Sequence, residues 1–325
     1  MAKSQTKYQV SIEELQKIFA KHNLGEIQST ESLGNGEFNT AIAVDTVDGK
    51  SYVVKIAPPK DSKVLSYEKH MMESEVFWYG QIREHTKVLV PAIYASDFSE
   101  EILGAAYFIM KKMEGQPLWA VGFSEEEYAE ISKQKIGMLA QIHGIPSKEF
   151  GYRQLGLKAT WYEAIREMAE KLVSDCEALG KATPDGHRLL ECIDKHREIL
   201  EQVSGCMVNF DLWDSNVLYA DGRLCWIDPE RSFWGDPIAD FITLGKGQMT
   251  PLSEKLEEIR VYNETAAHPI VYNRETEIRY QIAVAYLALI EEVEKYVRYE
   301  PQEENYIRNT VDAGKMYDMA FGVLY

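Results

Sequence analysis

Residues 207–230, "MVNFDLWDSNVLYADGRLCWIDPE", set three short apolar runs against polar stops. The first run halts at Asp211. Asn216 follows, a second run leads into the turn Asp221-Gly222, and a third run halts at Asp228. Asp-Gly between two such runs is a strong hairpin signal. A hairpin lays the residues before and after its turn side by side, so Asn216 and Asp228, at its open ends, must lie close together. Both offer hard oxygen atoms, which suit Mg²⁺. Asp211, at the end of the preceding strand, is able to orient a substrate hydroxyl and accept its proton. The plainer reading is that the polar groups only cap the hairpin. Asp211 weighs against it.

The surrounding chain sets bounds on this reading. Its 325 residues predict about two domains, and 45% of them are apolar, enough for a large core. The four cysteines, Cys176, Cys192, Cys206 and Cys225, form no C-x-x-C pair, which argues against a zinc site and suits reduced thiols in a cytosol. The start, "MAKSQTKYQV", lacks an apolar segment, and no run of about 18 uncharged apolar residues follows. A cytoplasmic protein with no secretory leader and no membrane span is expected. The formal net charge of −17 makes the chain a poor binder of nucleic acid or anionic membrane and a better host for a cationic small molecule. Solubility alone also explains such acidity.

Two blocks differ in character. In the first, Ser11 and Glu14 form a capping-box pattern before a helix, with Gly25 at its expected stop. The runs "TAIAVDT" and "SYVVKIA" flank Val47-Asp48-Gly49-Lys50, a second hairpin signal, and a helix is expected from about Ser66 to Glu84. Strands follow around "VPAIYAS" and "AAYFIMKKM". Beyond Glu114-Gly115 the pattern is mainly helical, with starts near Ser124, Trp161 and Pro184, and with breaks at Pro251, Pro269 and Pro301. The expected fold is α+β in two lobes: residues 1–113 as a small β-sheet lobe with one key helix, and residues 114–325 as a larger helical lobe with a β insertion.

The first block carries its own candidates. Gly34 and Gly36, between two strands, would let backbone N–H groups approach phosphates, although a tight turn without a ligand explains them equally well. Lys55 lies in a β-branched apolar strand and needs a negative partner if it points inward. Glu73 and Glu75 on the next helix face opposite ways, and Glu75, running into "EVFWYGQI", is the favoured partner. Asp236 before Pro237 reads as a helix cap, a role whose loss costs about 1 kcal/mol, rather than as a rival metal ligand. Asp240 is expected to fix the loop and His143 to be structural. Trp161, Tyr162 and Trp234 read as core before they read as a pocket lining.

The order of these parts matters more than any one of them: Gly-rich turn, strand lysine, helix glutamate, linker, Asp-x₄-Asn, then a strand ending in Asp. From about Ser32 to Phe241 the chain resembles the aminoglycoside phosphotransferase family and its fructosamine, choline and homoserine kinase relatives. The most specific part is "FDLWDSNVL…IDPERSFWGDPIADF". The resemblance implies a protein-kinase-like fold and an ATP- and Mg²⁺-dependent transfer of the γ-phosphate to a small-molecule hydroxyl. It implies Asp211 as the catalytic aspartate and Asn216 and Asp228 as Mg²⁺ ligands. Lys55 would hold the α- and β-phosphates, paired with Glu75. Gly34, Gly36 and Phe38 would form a partial phosphate turn. Met110 would back the nucleobase, and the backbone of Lys111 and Met113 would meet its edge. Arg231 has counterparts in some relatives. Asn209-Phe210 departs from the family's His-Gly, and Phe is larger than Gly at that point. The departure motivates a second reading, a nucleotide-binding pseudokinase that regulates a partner protein. A kinase of a neutral sugar or nucleoside, and GTP in place of ATP, also stay open.

Overall fold

The side chain of Ser11 accepts the N–H of Glu14 while the Glu14 carboxylate accepts the N–H of Ser11, and this box opens α1 (Ile12–Lys21). The computed structural model describes residues 7–33, 38–244 and 249–325. Gly34 and Gly36 lie outside the described residues. Five strands follow α1: β1 (Ile27–Ser32), β2 (Thr40–Thr46), β3 (Ser51–Ile56), β4 (Ile93–Asp97) and β5 (Tyr107–Lys111). They form an antiparallel sheet in the order β1-β2-β3-β5-β4. The β2–β3 hairpin turns where Asp48-Gly49 predicts, with Gly49 at φ +80°.

Strand β3 is buried on both faces, and its period of two decides what each side chain meets. Tyr52, Val54 and Ile56 pack with Leu15, Ile18 and Phe19 of α1. Val53 packs on the other face, with Trp78, Tyr79 and Ile82 of α2 (Met71–His85). Lys55 shares parity with Val53 and so faces α2. That helix starts five residues later than the sequence pattern predicts. Ser66–Glu68 forms a single 3₁₀ turn instead, because the Ser66 N–H and hydroxyl both donate to Asp175, at 2.7 and 2.6 Å.

The rest is mainly helical. In chain order it holds β6 (Gln116–Pro117), α3 (Glu125–His143), β7 (Pro146–Ser147), α4 (Trp161–Ala178), α5 (Pro184–Lys195), α6 (Arg197–Glu201) and β8 (Gly205–Val208). Then come β9 (Val217–Ala220), β10 (Arg223–Trp226), β11 (Phe233–Gly235), α7 (Leu256–Asn263), α8 (Arg274–Arg298) and α9 (Glu304–Leu324). Two small sheets, β10-β9-β6 and β11-β8-β7, lie among the helices. Helix α8 is buried along most of its length, packed against α4, α5 and α9. Trp161 and Trp234 are core residues, and Trp161 stacks on Phe233. Tyr162 is half-buried and donates its hydroxyl to Asp194. The fold is α+β and protein-kinase-like, a small sheet lobe followed by a mainly helical part. Among the described residues no helix is long and apolar enough to cross a membrane.

Asp236 caps the turn Pro237–Phe241 by accepting the Ile238 N–H at 3.2 Å. It also takes Arg279, whose Nη1 lies 3.0 Å from both carboxylate oxygens. The pair is buried, Asp236 at 2% and Arg279 at 21% side-chain exposure. Removing one partner of a buried pair strands the other. Asp236→Ala is therefore expected to cost about 3 kcal/mol in chemical denaturation rather than the ~1 kcal/mol of a lost cap; a loss near 1 kcal/mol would show that Arg279 contributes nothing.

Candidate active site

The β9–β10 hairpin has the register Val217↔Trp226 to Ala220↔Arg223, with Asp221 and Gly222 both at positive φ, +49° and +78°. Positive φ at both turn positions matches the right-handed twist of the strands. The ladder continues past the strands, where the Ile227 N–H donates to the Asn216 carbonyl at 3.0 Å. Asn216 and Asp228 are thereby delivered to one end of the hairpin. The Asn216 Nδ2 donates to the Asp211 carbonyl and to Asp211 Oδ2, both at 3.0 Å. Asp211, Asn216 and Asp228 thus form one edge.

Lys55 reaches this edge from the sheet. Its Nζ lies 2.9 and 2.8 Å from the two Glu75 carboxylate oxygens, 2.5 Å from Asp228 Oδ1 and 3.2 Å from Glu230 Oε2. Glu73, the other candidate, points away and meets His70. Burial works against the Lys55 ammonium, but the charges of Asp228, Glu230 and Glu75 outweigh it and hold its pKa well above the ordinary lysine value. Three carboxyl groups thus meet one ammonium, a surplus of acid over base, while burial raises the pKa of Glu75 well above and that of Glu230 above the ordinary glutamate value. One carboxylate oxygen from each of Glu75, Asp228 and Glu230 lies within 4.8 Å of the other two.

Glu230 and Asn39 are absent from the sequence-based site. Glu230 reads as an ordinary residue after Asp-Pro, yet its Oε2 takes both Lys55 and the Asn39 Nδ2, the latter at 2.8 Å. Asn39 opens β2 from the sheet side, so this contact joins the two parts of the chain. The spacing Asp-x-Glu in "IDPE" is the only signal that could have found Glu230. Asp228 sits at φ +63°, and its N–H donates to the Tyr79 hydroxyl at 2.9 Å.

The nucleobase candidates lie at the end of β5. Met110 is buried and pairs with Val53 and Ile93. The Lys111 N–H is taken by the Ala92 carbonyl at 2.8 Å, which leaves only the Lys111 carbonyl to meet a ligand. The Met113 backbone N–H donates to no group among the described residues. Phe38 is buried with the Arg298 guanidinium 5.6 Å from its ring centre, so its ring faces the protein interior.

Asn209-Phe210 keeps the Asp211 loop in order by different means from His-Gly. Successive N–H groups of Asn209 and Phe210 donate to the buried Asp240 carboxylate, at 2.9 and 2.5 Å. Such a nest needs a left-handed residue, and Phe210 supplies it at φ +61°. The Asn209 side-chain oxygen accepts the Asp211 N–H at 3.2 Å. His143 bridges Asp240 and Tyr262 at 2.9 Å each and is structural. Burial pushes the Asp211 carboxyl up to about 7, with the charge of Arg231 opposing the rise.

A family model described as the phosphotransferase enzyme family (APH) matches residues 29–271. The chain belongs to the phosphotransferase enzyme family. Among curated proteins, "Probable acyl-CoA dehydrogenase IBR3" of Arabidopsis thaliana is 23% identical over 220 residues, covering 64% of this chain and 26% of that protein. The chain therefore spans about a quarter of the length of that relative. Solved structures share the fold. A candidate fructosamine-3-kinase of Thermobifida fusca is 17% identical with a TM-score of 0.70, covering 97% of this chain and 99% of its own. A candidate aminoglycoside phosphotransferase of Ralstonia eutropha is 17% identical with a TM-score of 0.68, over 97% and 98%. The streptomycin–ATP complex of APH(2″)-IIa is 16% identical with a TM-score of 0.60, over 95% and 99%.

Phe210 tests which local term wins. A left-handed conformation costs a non-glycine residue about 1–2 kcal/mol, whereas deleting a buried phenylalanine ring costs about 3–5 kcal/mol. The Phe210 ring is buried against Phe233 and Tyr286, with centroids 5.2 and 5.8 Å away. Phe210→Gly is expected to destabilise the fold by about 2 kcal/mol in urea unfolding, despite relieving the backbone. A stabilised variant would mean that the ring's packing is worth less than the strain.

Proposed function

We propose that the chain transfers the γ-phosphate of ATP to a hydroxyl of an amine-bearing small molecule, in a Mg²⁺-dependent reaction. The observation that carries the reading is the convergence of Lys55, Glu75, Asp228 and Glu230 on one point beside the Asp211–Asn216 pair. The nucleotide lies between a lobe of residues 1–113 and one of residues 114–325. Met110 backs the base, and the Lys111 carbonyl and Met113 N–H meet its edge. Lys55 turns from its carboxylates toward the α- and β-phosphates.

The donor set fits a divalent cation. Asp228 is 34% exposed at its side chain and offers hard oxygens, and the surplus of carboxyl groups around Lys55 favours added positive charge. Asp228 and Asn216 would hold the ion, which when bound supplies a Lewis acid for the phosphate oxygens. Asp211 orients the acceptor hydroxyl and takes its proton as the new O–P bond forms and the bond from the γ-phosphorus to the ADP oxygen breaks. The proton then passes to solvent. A loose transition state asks mainly for positioning here.

Two features support a cationic acceptor. The net charge is −17. Glu291 of α8, on the helix face that carries Glu294, is half-buried, is pushed up to about 7 mainly by burial, and has no hydrogen-bond or ion-pair partner among the described residues. The name of the Arabidopsis relative adds hydroxyacyl thioesters to the acceptors worth testing.

The test is transfer of label from γ-labelled ATP across amine-bearing polyols, neutral sugars, nucleosides and hydroxyacyl thioesters. Label should move to an amine-bearing acceptor. Asp211→Asn should lower kcat by about 10²–10⁴ while MgATP binding survives. Transfer undiminished in Asp211→Asn would remove Asp211 from the chemistry. Tight nucleotide binding with no transfer to any acceptor would favour the pseudokinase, and label found only on neutral polyols, nucleosides or thioesters would sink the amine.

A further inference from the structure

We propose that a groove between the chain leaving the five-stranded sheet and the loop from Asp211 to Asn216 takes the body of the acceptor, and that this body is a flat, uncharged ring. The inference rests on the transfer proposed above and adds to it a binding site and a substrate class.

The groove exists because two short strands pair. Gln116 and Pro117 of β6 lie against Tyr219 and Leu218 of β9. Gly115, at φ +119°, allows so close an approach, because a Cβ there would meet the Tyr219 carbonyl oxygen at 2.6 Å. The pairing sets the turn Leu118–Ala120 against the turn Asp214–Asn216, which leads into β9. Between them lies a cavity of about 430 Å³, within the size range of small-molecule sites. Its walls are aromatic. Trp119 and Phe123 come from the segment after β6, Tyr128 from α3 and Trp213 from the loop after Asp211. Two of these rings are held by neighbours: Phe123 packs edge-on against Tyr219, with centroids 5.0 Å apart, and the Tyr128 hydroxyl donates to Asp214 at 2.8 Å. Trp119 is 67% exposed, more than any other large apolar side chain among the described residues. Covering such a ring is favourable.

The chemistry of the lining selects the ligand. Asp214 is the one charged residue among the described residues that line the groove, and both of its oxygens are met, Oδ2 by Tyr128 and Oδ1 by Lys135 Nζ at 2.8 Å. Lys135 has only 2% of its side chain exposed, so the pair is closed. A phosphate would find no cation in the lining, and an ammonium would find its carboxylate already neutralised. The amine of the proposed acceptor therefore lies outside the groove. What the walls offer is ring surface, which takes another ring stacked or edge-on. Position ties this site to the reaction. Trp213 stands two residues beyond Asp211, so their Cα atoms are at most about 7 Å apart. Asn216 closes the loop by donating to the Asp211 carbonyl and carboxylate. A ring against Trp213 needs only a short arm to bring its hydroxyl to Asp211.

The probes are two amino alcohols that differ only by a phenyl ring, 2-amino-1-propanol and 2-amino-3-phenyl-1-propanol. Each is titrated calorimetrically into the full chain with saturating MgADP present, so that the nucleotide site is filled first. The phenyl compound should bind at least about 10-fold more tightly, as burial of a ring gives. Trp119→Ala should remove that preference, while the affinities for 2-amino-1-propanol and for MgADP change by no more than about twofold. Trp119 is exposed, so this variant is expected to fold. Trp119→Phe, which puts a ring back, should recover most of the preference. Equal affinities for the two probes, a preference that survives in Trp119→Ala, a loss of MgADP affinity in that variant, or binding of the phenyl compound only when MgADP is absent would each overturn the inference. Failure of the proposed reaction reads differently: the phenyl compound would still bind through Trp119, yet no label would pass to either probe from γ-labelled ATP. That result would overturn the acceptor role and leave a site for a ring.

Discussion

The Lys55 ammonium is buried, and nearly everything around the site follows from how that charge is met. A buried cation is tolerated only when paired and hydrogen-bonded. Here the partners come from two separated segments, Glu75 from α2 and Asp228 with Glu230 from the loop after β10. The requirement fixes α2 against β3, and it brings the end of the β9–β10 hairpin under the sheet. Asn39 and Tyr79 complete the junction by binding Glu230 and the Asp228 backbone. The result is over-compensated, with more carboxyl groups than the one ammonium, so a divalent cation suits the arrangement better than a free anion does.

The same accounting changes the meaning of the chain's acidity. Much of the acid that looks like a charged surface in sequence is engaged in holding the fold. In "IEEVEKYVRYEPQEEN", Glu292 accepts from Thr183 and Tyr317, and Glu294 holds Arg231 and Arg298. In "SEEEYAE", Glu127 closes a capping box with Ser124. In "PLSEKLEE", Glu257 pairs with Arg260 on the surface. What remains for a cationic acceptor is a smaller set, in which Glu291 stands out because burial raises it and no partner meets it among the described residues.

The parts of the site that local chemistry dictates were legible in the sequence. The Asp-Gly turn fixed the hairpin and so placed Asn216 beside the Asp228 end, and alternation in β3 put Lys55 on the α2 face. Ser11, Ser124 and Asp236 announced their caps. What the sequence hid depends on pairings across long separations. Glu230 looks like a turn residue until Lys55 and Asn39 arrive from the sheet, and the Arg231–Glu294 pair links positions 63 apart. The delayed start of α2 has the same origin, since Asp175 captures Ser66 from another helix. Phe210 inverts a sequence rule: its size argues against a left-handed turn, yet the two N–H bonds to Asp240 and the buried ring hold it there.

The central claim is that Lys55 sits in an over-compensated carboxylate cluster that admits a nucleotide only with a divalent cation. Calorimetric titration of ATP into the full chain, with excess Mg²⁺ and again with EDTA, tests it most directly. The surplus of carboxyl groups over the one ammonium, set close to the phosphates, predicts binding at least about 100-fold weaker without the metal, a difference of about 2.7 kcal/mol. Equal affinity in the two titrations would contradict the account, because it would mean that Lys55 alone satisfies the phosphates and that the carboxylates around it serve only the fold.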